Sequence, residues 1–227
     1  MELRFKLVSS SFCIIAILTF VVGVAGQGGS QPKPQLPSSS IDPGSTEGTV
    51  YTNRALGLRI KYPARMVADS REDLDKVSQE GLELYKKWDG KDQKIAEKLA
   101  DRERSVFSIS APVGAGEPIA SLTLSVAKDL TGGDLEKMVS STVKMFISAP
   151  NLKLSKPIVR TELSGITCYT FELSIEISGK IVRSTTFSMK RNGYLLSFSI
   201  THLEDRGFDL MEKILKDLEL FELAKCD

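Results

Sequence analysis

The chain has 227 residues, of which 41% are hydrophobic and 26% are charged, a composition that is ordinary for a folded globular protein. Its formal net charge is +1, so no global electrostatic field favours binding to nucleic acid or to an anionic membrane surface. This length is sufficient for one substantial hydrophobic core or for two small ones.

The N-terminus has the pattern of a secretory signal peptide. Arg4 and Lys6 precede an apolar run from Phe12 to Ala25, and small residues follow. The run is shorter than the ~20 apolar residues that a membrane-spanning helix needs. Residues 1–26 are therefore predicted to be removed on export. The destination is the periplasm or the extracellular medium, and the sequence does not distinguish these two compartments. An uncleaved segment that tethers the protein to a membrane is the alternative.

A linker and then a domain are predicted after the signal peptide. Residues 27–49 are rich in Gly, Ser and Pro and contain few apolar side chains, so we predict that this linker is disordered. The domain is predicted to span residues 50–222. It opens with a strand at 55–62, which ends before a proline because proline cannot donate a ladder hydrogen bond. The apolar residues that alternate along this strand are Leu56, Leu58, Ile60 and Tyr62.

Residues 68–104 are predicted to form a helical insert within the domain. Ser70 and Asp73 resemble a capping box, and apolar residues then recur at helical spacing as far as Trp88. A second, mostly charged helix is predicted at 91–104. This helix is either a solvated face or a surface for a partner, and its composition favours the solvated face. Trp88 is a candidate anchor for a partner, although packing in the core is favoured.

The second half of the chain is predicted to form an antiparallel meander. The predicted strands of the domain after the insert are 106–112, 119–127, 152–163, 166–177, 180–190 and 194–201, with helices at 134–147 and 206–221 and a tail at 223–227. Asn192-Gly193 is the strongest hairpin signal, because a type I′ turn needs positive φ at both central residues. Short connections join antiparallel strands, and amphipathic helices must bury their apolar stripes. We therefore predict an α+β fold, an antiparallel β-sheet flanked by helices.

Both ends of this domain carry a family resemblance. Tyr51 and Asn53 precede Leu56-Gly57 and Tyr62-Pro63, and near the other end KRNGYLLSFSIT is followed by FDLMEKILKDL. These patterns resemble the PsbP-like family, the extrinsic subunits of photosystem II and their bacterial relatives, which share a fold with a Ran-binding nuclear import factor. The resemblance implies an α/β/α sandwich with a binding or assembly role. The plain secretory leader and the charged insert indicate a non-photosynthetic, exported bacterial member.

The sequence contains no recognisable catalytic motif, such as a P-loop, a nucleophile elbow or a dinucleotide-binding glycine pattern. His202 is the one histidine and, with Glu204 and Asp205, it is a candidate metal or acid–base cluster. A structural role is favoured, because metal sites usually need three or four ligands. Cys168 is a candidate nucleophile, but Glu172 shares its strand face, and an acidic neighbour raises the pKa of a thiol.

These observations predict an exported, non-catalytic binding or assembly domain with an unidentified protein or small-molecule partner and with no cofactor or metal. Membrane contact is expected only through an uncleaved N-terminal segment. Arg183, Lys190 and Arg191 form a basic group without interleaved aromatic residues, so nucleic-acid binding is not expected. Two alternatives stay open: a membrane-tethered envelope assembly factor and, less favoured, a metal-dependent enzyme centred on His202.

Two cysteines, Cys168 and Cys226, are left after removal of the predicted signal peptide. In an oxidising compartment they are a candidate disulfide, which would stabilise the fold by about 4 kcal/mol in the chain-entropy model. Two unpaired thiols are the alternative, since the sequence does not supply the geometry of the bridge.

The export prediction is tested by the mass of the protein recovered from expressing cells. We expect intact-mass spectrometry to show a chain that starts at Gly26 or Gln27, because cleavage after Ala25 or Gly26 removes the signal. A chain that retains residues 1–25 and sediments with membranes would contradict cleavage and support the tethered alternative.

Overall fold

Two antiparallel β-sheets form most of the described chain in the computed structural model, which describes residues 41–76, 78, 103–112, 114, 116–129, 132–149 and 151–222. The strands are β1 (Ser45–Glu47), β2 (Val50–Asn53), β3 (Leu58–Lys61), β4 (Val67–Ala68), β5 (Glu103–Ser110), β6 (Ala120–Lys128), β7 (Leu152–Leu163), β8 (Ile166–Ile177), β9 (Lys180–Arg191), β10 (Tyr194–His202) and β11 (Glu219–Leu220). The smaller sheet has the order β1-β2-β3-β11, and the larger sheet has the order β4-β5-β6-β10-β9-β8-β7.

Helices cover both faces of the larger sheet. The helices with both ends described are α1 (Leu135–Ile147) and α2 (Asp205–Lys216). Successive side chains of a strand point to opposite faces, so β8 shows which helix covers which face. Phe171 and Leu173 pack with Val139 and Val143 of α1, whereas Cys168 lies in the main core with side chains of α2 and of the smaller sheet. The fold is therefore α+β with helices on both sides of an antiparallel sheet, as predicted.

The main core fills the space between the larger sheet, α2 and the smaller sheet. Met211 and Leu215 of α2 and Leu58 and Ile60 of β3 are all fully buried. Each large apolar side chain buried in this way contributes roughly 1.5–3 kcal/mol. The Tyr51 ring of β2 stacks on the Phe107 ring of β5 with 4.5 Å between centroids, which ties the smaller sheet to the larger one.

The strands of the meander agree with the sequence predictions to within one residue. β7 and β8 occupy the predicted ranges, and β9 and β10 each extend one residue further. The hairpins have two-residue turns with positive φ at both positions, as at Asn192 (50°) and Gly193 (78°). Type I′ turns of this kind match the twist of the strands. The register between β7 and β8 shifts twice, and the second shift, between Lys156 and Val159, spans Pro157.

The first predicted strand, 55–62, is shorter in the structure: residues 55–57 belong to a turn that joins β2 to β3, and β3 covers only Leu58–Lys61. Asn53 forms the turn, since its Oδ1 accepts from the Leu56 N–H at 3.0 Å and its Nδ2 donates to the Asp42 carbonyl at 2.8 Å. Gly57 has a φ of 63°, and a Cβ there would lie 2.5 Å from the Phe221 carbonyl oxygen. The alternation is confirmed, because Leu56, Leu58, Ile60 and Tyr62 are all buried.

Three boundaries differ from the sequence predictions because backbone pairing with distant strands decides them. β1 pairs with β2, so the predicted linker, 27–49, ends too late. Residues 103–104 of the predicted insert, 68–104, belong to β5 and not to a helix. α2 ends at Lys216 rather than at residue 221, and Glu219–Leu220 pairs with β3.

Several predicted features lie outside the described residues. These are the signal peptide, the linker up to residue 40, Trp88, most of the charged helix and the tail at 223–227. The start of the insert is described: residues 71–76 are helical, and Ser70 caps them by accepting the Asp73 N–H at 3.2 Å. No helix in the described ranges is long and apolar enough to cross a membrane.

Arg191 links the two sheets at one point. Its Nε donates to the Leu56 carbonyl at 2.8 Å, and its Nη2 donates to the carbonyls of Gly57 at 3.2 Å and of Phe221 at 2.7 Å. The next residue, Asn192, donates to the Ala55 carbonyl at 3.4 Å. The β9–β10 hairpin of the larger sheet therefore holds the β2–β3 turn and the chain that follows β11.

Replacing Arg191 tests this link. Arg191→Lys should lower the free energy of unfolding by about 2–4 kcal/mol, because a single ammonium cannot serve all three carbonyls from the same position. Urea unfolding followed by circular dichroism measures the loss. Arg54→Lys, at an exposed position in the same turn, is the matched control and should change stability by less than about 0.5 kcal/mol. Equal effects of the two substitutions would contradict the role of Arg191.

Candidate functional site

Cys168 of β8 is fully buried in the main core and is a free thiol in the structure. Burial, with a smaller contribution from the nearby Glu162 carboxylate of β7, raises the pKa of this thiol to about 11. The thiol is therefore protonated at neutral pH and unsuited to nucleophilic attack. The sequence analysis expected Glu172 to raise the pKa of Cys168, because the two residues share a strand face. In the structure, the carboxylate that raises this pKa is that of Glu162. Cys226 lies outside the described residues, so the Cys168–Cys226 disulfide stays a prediction.

His202 is the last residue of β10, and it is only 3% exposed. Its Nδ1 lies 3.2 Å from the Glu204 carbonyl oxygen, which can only accept, so Nδ1 carries the proton. Nε2 is then a buried acceptor, and it has no hydrogen-bond partner in the described part of the chain. Burial lowers the pKa of His202 more than its contact with Glu204 and the nearby Glu172 carboxylate raise it. The imidazole is neutral at pH 7.

Glu172 is the most deeply buried carboxylate among the described residues, with its side chain 3% exposed. The register of β7 against β8 shifts between Leu154 and Lys156, so Ser155 and Lys156 both lie opposite Glu172. A bulge of this kind redirects side chains. One Glu172 oxygen accepts from Ser155 Oγ at 2.8 Å, and the other accepts from Lys156 Nζ at 2.8 Å and from Thr185 Oγ1 at 3.1 Å.

Burial alone would raise the pKa of Glu172. The hydrogen bonds from Lys156, Ser155 and Thr185, together with the Lys156 charge, outweigh burial, and the pKa of Glu172 lies below its ordinary value. The Lys156 side chain is 65% exposed, so water screens the ion pair from one side. Glu172 is therefore a structural anion at neutral pH with both oxygens occupied.

One aromatic ring connects the buried acid to the buried histidine. Lys156 Nζ lies 5.8 Å from the centroid of the Phe208 ring of α2, and that ring lies 5.4 Å from the His202 ring. We call the six residues Ser155, Lys156, Glu172, Thr185, His202 and Phe208 the Glu172–His202 cluster. The two residues that follow His202 have other roles: Glu204 precedes α2 and pairs with Arg206, and Asp205 pairs with Arg183.

Sequence reasoning identified His202 and Cys168 as candidates but missed Glu172 and Lys156. The available signal was a glutamate in the middle of a long strand, on the face that also carries Cys168. That face was taken as the polar one, yet α2 and the β7 bulge cover it. Among the described residues, no group of three or more His, Cys, Asp and Glu side chains is arranged to hold a metal ion.

The basic group named from the sequence is divided among three different contacts. Arg183 pairs with Asp205 at 3.5 Å, and Lys190 pairs with Asp129 at 2.7 Å. Arg191 holds the backbone carbonyls at the junction of the two sheets. The three cations therefore serve separate structural contacts within this fold.

A surface groove of about 550 Å³ lies elsewhere, on the outer face of the smaller sheet. Arg59 and Lys61 project into it from β3, and both bind the Glu219 carboxylate of β11. The hydrogen bond from Lys61 is the main reason that the pKa of Glu219 lies below its ordinary value. The groove also contains the exposed Glu47 and Arg54, so its charges are mixed and do not select a ligand of one sign.

Comparisons with known proteins give distant likenesses. No protein-family model matches the chain, and no curated protein is significantly similar to it. A cyanobacterial PsbP (CyanoP) from Synechocystis sp. PCC 6803 is 12% identical over 82% of this chain and 99% of that chain, with a TM-score of 0.48. LpqN of Mycobacterium tuberculosis, which is involved in cell envelope biogenesis, is 15% identical over 80% of this chain and 87% of that chain, with a TM-score of 0.44.

PA94 of Pseudomonas aeruginosa, a protein of unknown function, is 12% identical over 51% of this chain and 82% of that chain, with a TM-score of 0.44. At these identities and TM-scores, the comparisons assign the chain neither to a family nor to a function.

The buried ionisable groups predict two separate steps in the pH dependence of stability. A histidine whose pKa is lowered by folding binds its proton more tightly in the unfolded chain, so stability falls as the pH drops below the unfolded value of about 6.5. Glu172, whose pKa is also lowered by folding, contributes stability that is lost only below its ordinary value of 4.5. The slope from His202 is at most about 1.4 kcal/mol per pH unit, because one proton is involved.

His202→Asn separates the two steps, since an asparagine amide can donate to the Glu204 carbonyl but does not titrate. We expect urea unfolding of the wild-type protein to show a loss of stability as the pH falls from 6.5 towards 5. The variant should lack this loss and keep the one below pH 4.5. A variant that retains the upper step would show that another group titrates there.

Proposed function

We propose that this protein is an exported, non-catalytic domain that binds or assembles with another protein or a small ligand. The observation that carries the proposal is that the reactive groups of the Glu172–His202 cluster, and the nearby Cys168 thiol, are all engaged or buried within the fold. Both oxygens of Glu172 hold donors, His202 is neutral and shielded, and the Cys168 thiol is buried with a raised pKa. General acid–base and nucleophilic catalysis need groups that reach a substrate with pKa values matched to the reaction.

Export is supported by the sequence of residues 1–26, with its short basic segment, apolar run and small residues at the cleavage position. The domain carries its polar cluster internally, and its exposed charges are of both signs. These features favour a partner recognised by shape and backbone contacts over a highly charged partner such as nucleic acid.

A membrane-tethered assembly factor is the second candidate. Ile41 is buried, and Asp42 and Pro43 contact Asn53 and Tyr51 through their carbonyls, so the folded domain includes these residues. An uncleaved N-terminal segment would therefore be joined to the domain by the chain from about residue 27 to 40, which reaches at most roughly 50 Å when fully extended.

The proposed function is tested by recovery of a partner and by a search for catalysis on the same preparation. The mature chain, immobilised through its C-terminus, should retain one saturable partner from the exported fraction, and excess soluble protein should compete for that partner. The same preparation should turn over no substrate in a broad hydrolase panel. Turnover that is lost in His202→Ala or in Cys168→Ala, with the fold intact by circular dichroism, would overturn the non-catalytic proposal.

A further inference from the structure

β7 is a long edge of the larger sheet, and none of the strands that the structure describes pairs with its outer side. It has 12 residues, it pairs with β8 on one side, and it ends the strand order. The other edges of the two described sheets are β4, β1 and β11, with two, three and two residues. Along β7, residues between the two buried ends are almost all exposed, and Val159 keeps 50% of its surface accessible. An edge of this length is a template for pairing with another strand.

The two halves of β7 differ in how well they could accept a strand. The first half contains Pro157 and both register shifts, which interrupt any regular ladder and protect the edge there. From Val159 to Leu163 the register with β8 is continuous. The segment Val159–Leu163, which we call the β7 edge segment, is therefore the part that can take a new strand.

Turn geometry decides which backbone groups of this segment face outwards. Ser164 and Gly165 form a two-residue turn with φ values of 49° and 78°. In such a hairpin the flanking residues exchange both backbone hydrogen bonds, and hydrogen-bonded pairs then alternate along the ladder. Leu163, Thr161 and Val159 therefore bond to β8. Arg160 and Glu162 direct their N–H and C=O groups to the open side.

The side chains of the β7 edge segment are self-complementary about Thr161. If two copies pair antiparallel around a two-fold axis at Thr161, Arg160 of one copy lies opposite Glu162 of the other. These are the residues whose backbone groups face outwards, so each such pair exchanges both backbone hydrogen bonds. The same register places Val159 opposite Leu163 and Thr161 opposite Thr161. Opposite charges and paired threonines are favourable cross-strand neighbours.

We propose that the β7 edge segment is a homodimer interface, in which a second copy of this chain adds its own β7 to join the two larger sheets into one. A two-fold axis uses the same patch on both copies, and the sequence Val-Arg-Thr-Glu-Leu satisfies this requirement. The pairing involves one short segment, less than the ~1,000 Å² that stable interfaces usually bury. The association is therefore weak, with a dissociation constant above about 1 µM. It does not depend on the partner inferred under the proposed function.

Sedimentation velocity of the mature wild-type chain over about 10 µM to 1 mM tests for the dimer. Arg160→Glu and Glu162→Arg should each weaken self-association about tenfold or more, because each change places like charges opposite one another twice. Mixing the two variants should restore dimers, since all four facing positions then carry opposite charges. Glu176→Arg, an equal charge change at an exposed interior-strand position, is the matched control and should self-associate like the wild type.

The proposal is overturned if the wild type stays monomeric up to about 1 mM, or if it dimerises with no response to either charge reversal. Failure of the mixed variants to associate, with each folded by circular dichroism, would also overturn it. If one charge variant does not fold, Thr161→Glu serves instead, because it places two carboxylates together at the two-fold axis and should abolish the dimer. If the protein is monomeric and its β7 edge segment pairs with a strand of a different protein, that protein is the occupant of the edge and the homodimer proposal is overturned.

Discussion

The junction between the two sheets of this protein is held by one guanidinium group. Arg191 donates to three backbone carbonyls that belong to the β2–β3 turn and to the chain after β11. A planar fork of donors is suited to such convergent oxygens, and a single ammonium is not. The close approach leaves no space at Gly57 for a Cβ. The smaller sheet also packs on the main core, where the Tyr51 ring stacks on the Phe107 ring.

The Glu172–His202 cluster shows how the same fold accommodates buried polar groups. A carboxylate removed from water costs several kcal/mol unless it is paired and hydrogen-bonded. The β7 bulge meets this requirement by aiming two consecutive side chains, Ser155 and Lys156, at Glu172, and Thr185 adds a third donor. The polar groups of the cluster thus stabilise the contact between the meander and α2. This use of its polar groups is the observation behind the non-catalytic role proposed above.

The candidate site was only partly predictable from the sequence. Histidine and cysteine are rare in this sequence and both can act in catalysis or bind metals, so the sequence identifies His202 and Cys168 as candidates. Glu172 was missed because strand alternation separates two faces but does not say which face is covered. β8 lies inside the sheet, with α1 on one face and the main core on the other, so its polar-looking face is also buried. The bulge that brings Lys156 to Glu172 is a property of the β7–β8 pairing.

By itself, the sequence determined the elements that depend on local chemistry. Alternation and two-residue turns placed β7 to β10 within one residue, and Asp134, whose side chain accepts the Lys137 N–H at 3.0 Å, starts α1 where predicted. Tertiary structure alone decided β1, β11, the end of α2 and the role of Arg191. The physical reason is that these features are held by backbone hydrogen bonds to strands or turns far away along the chain. Arg191 and Leu56, for example, are 135 residues apart. Local periodicity carries no information about such partners.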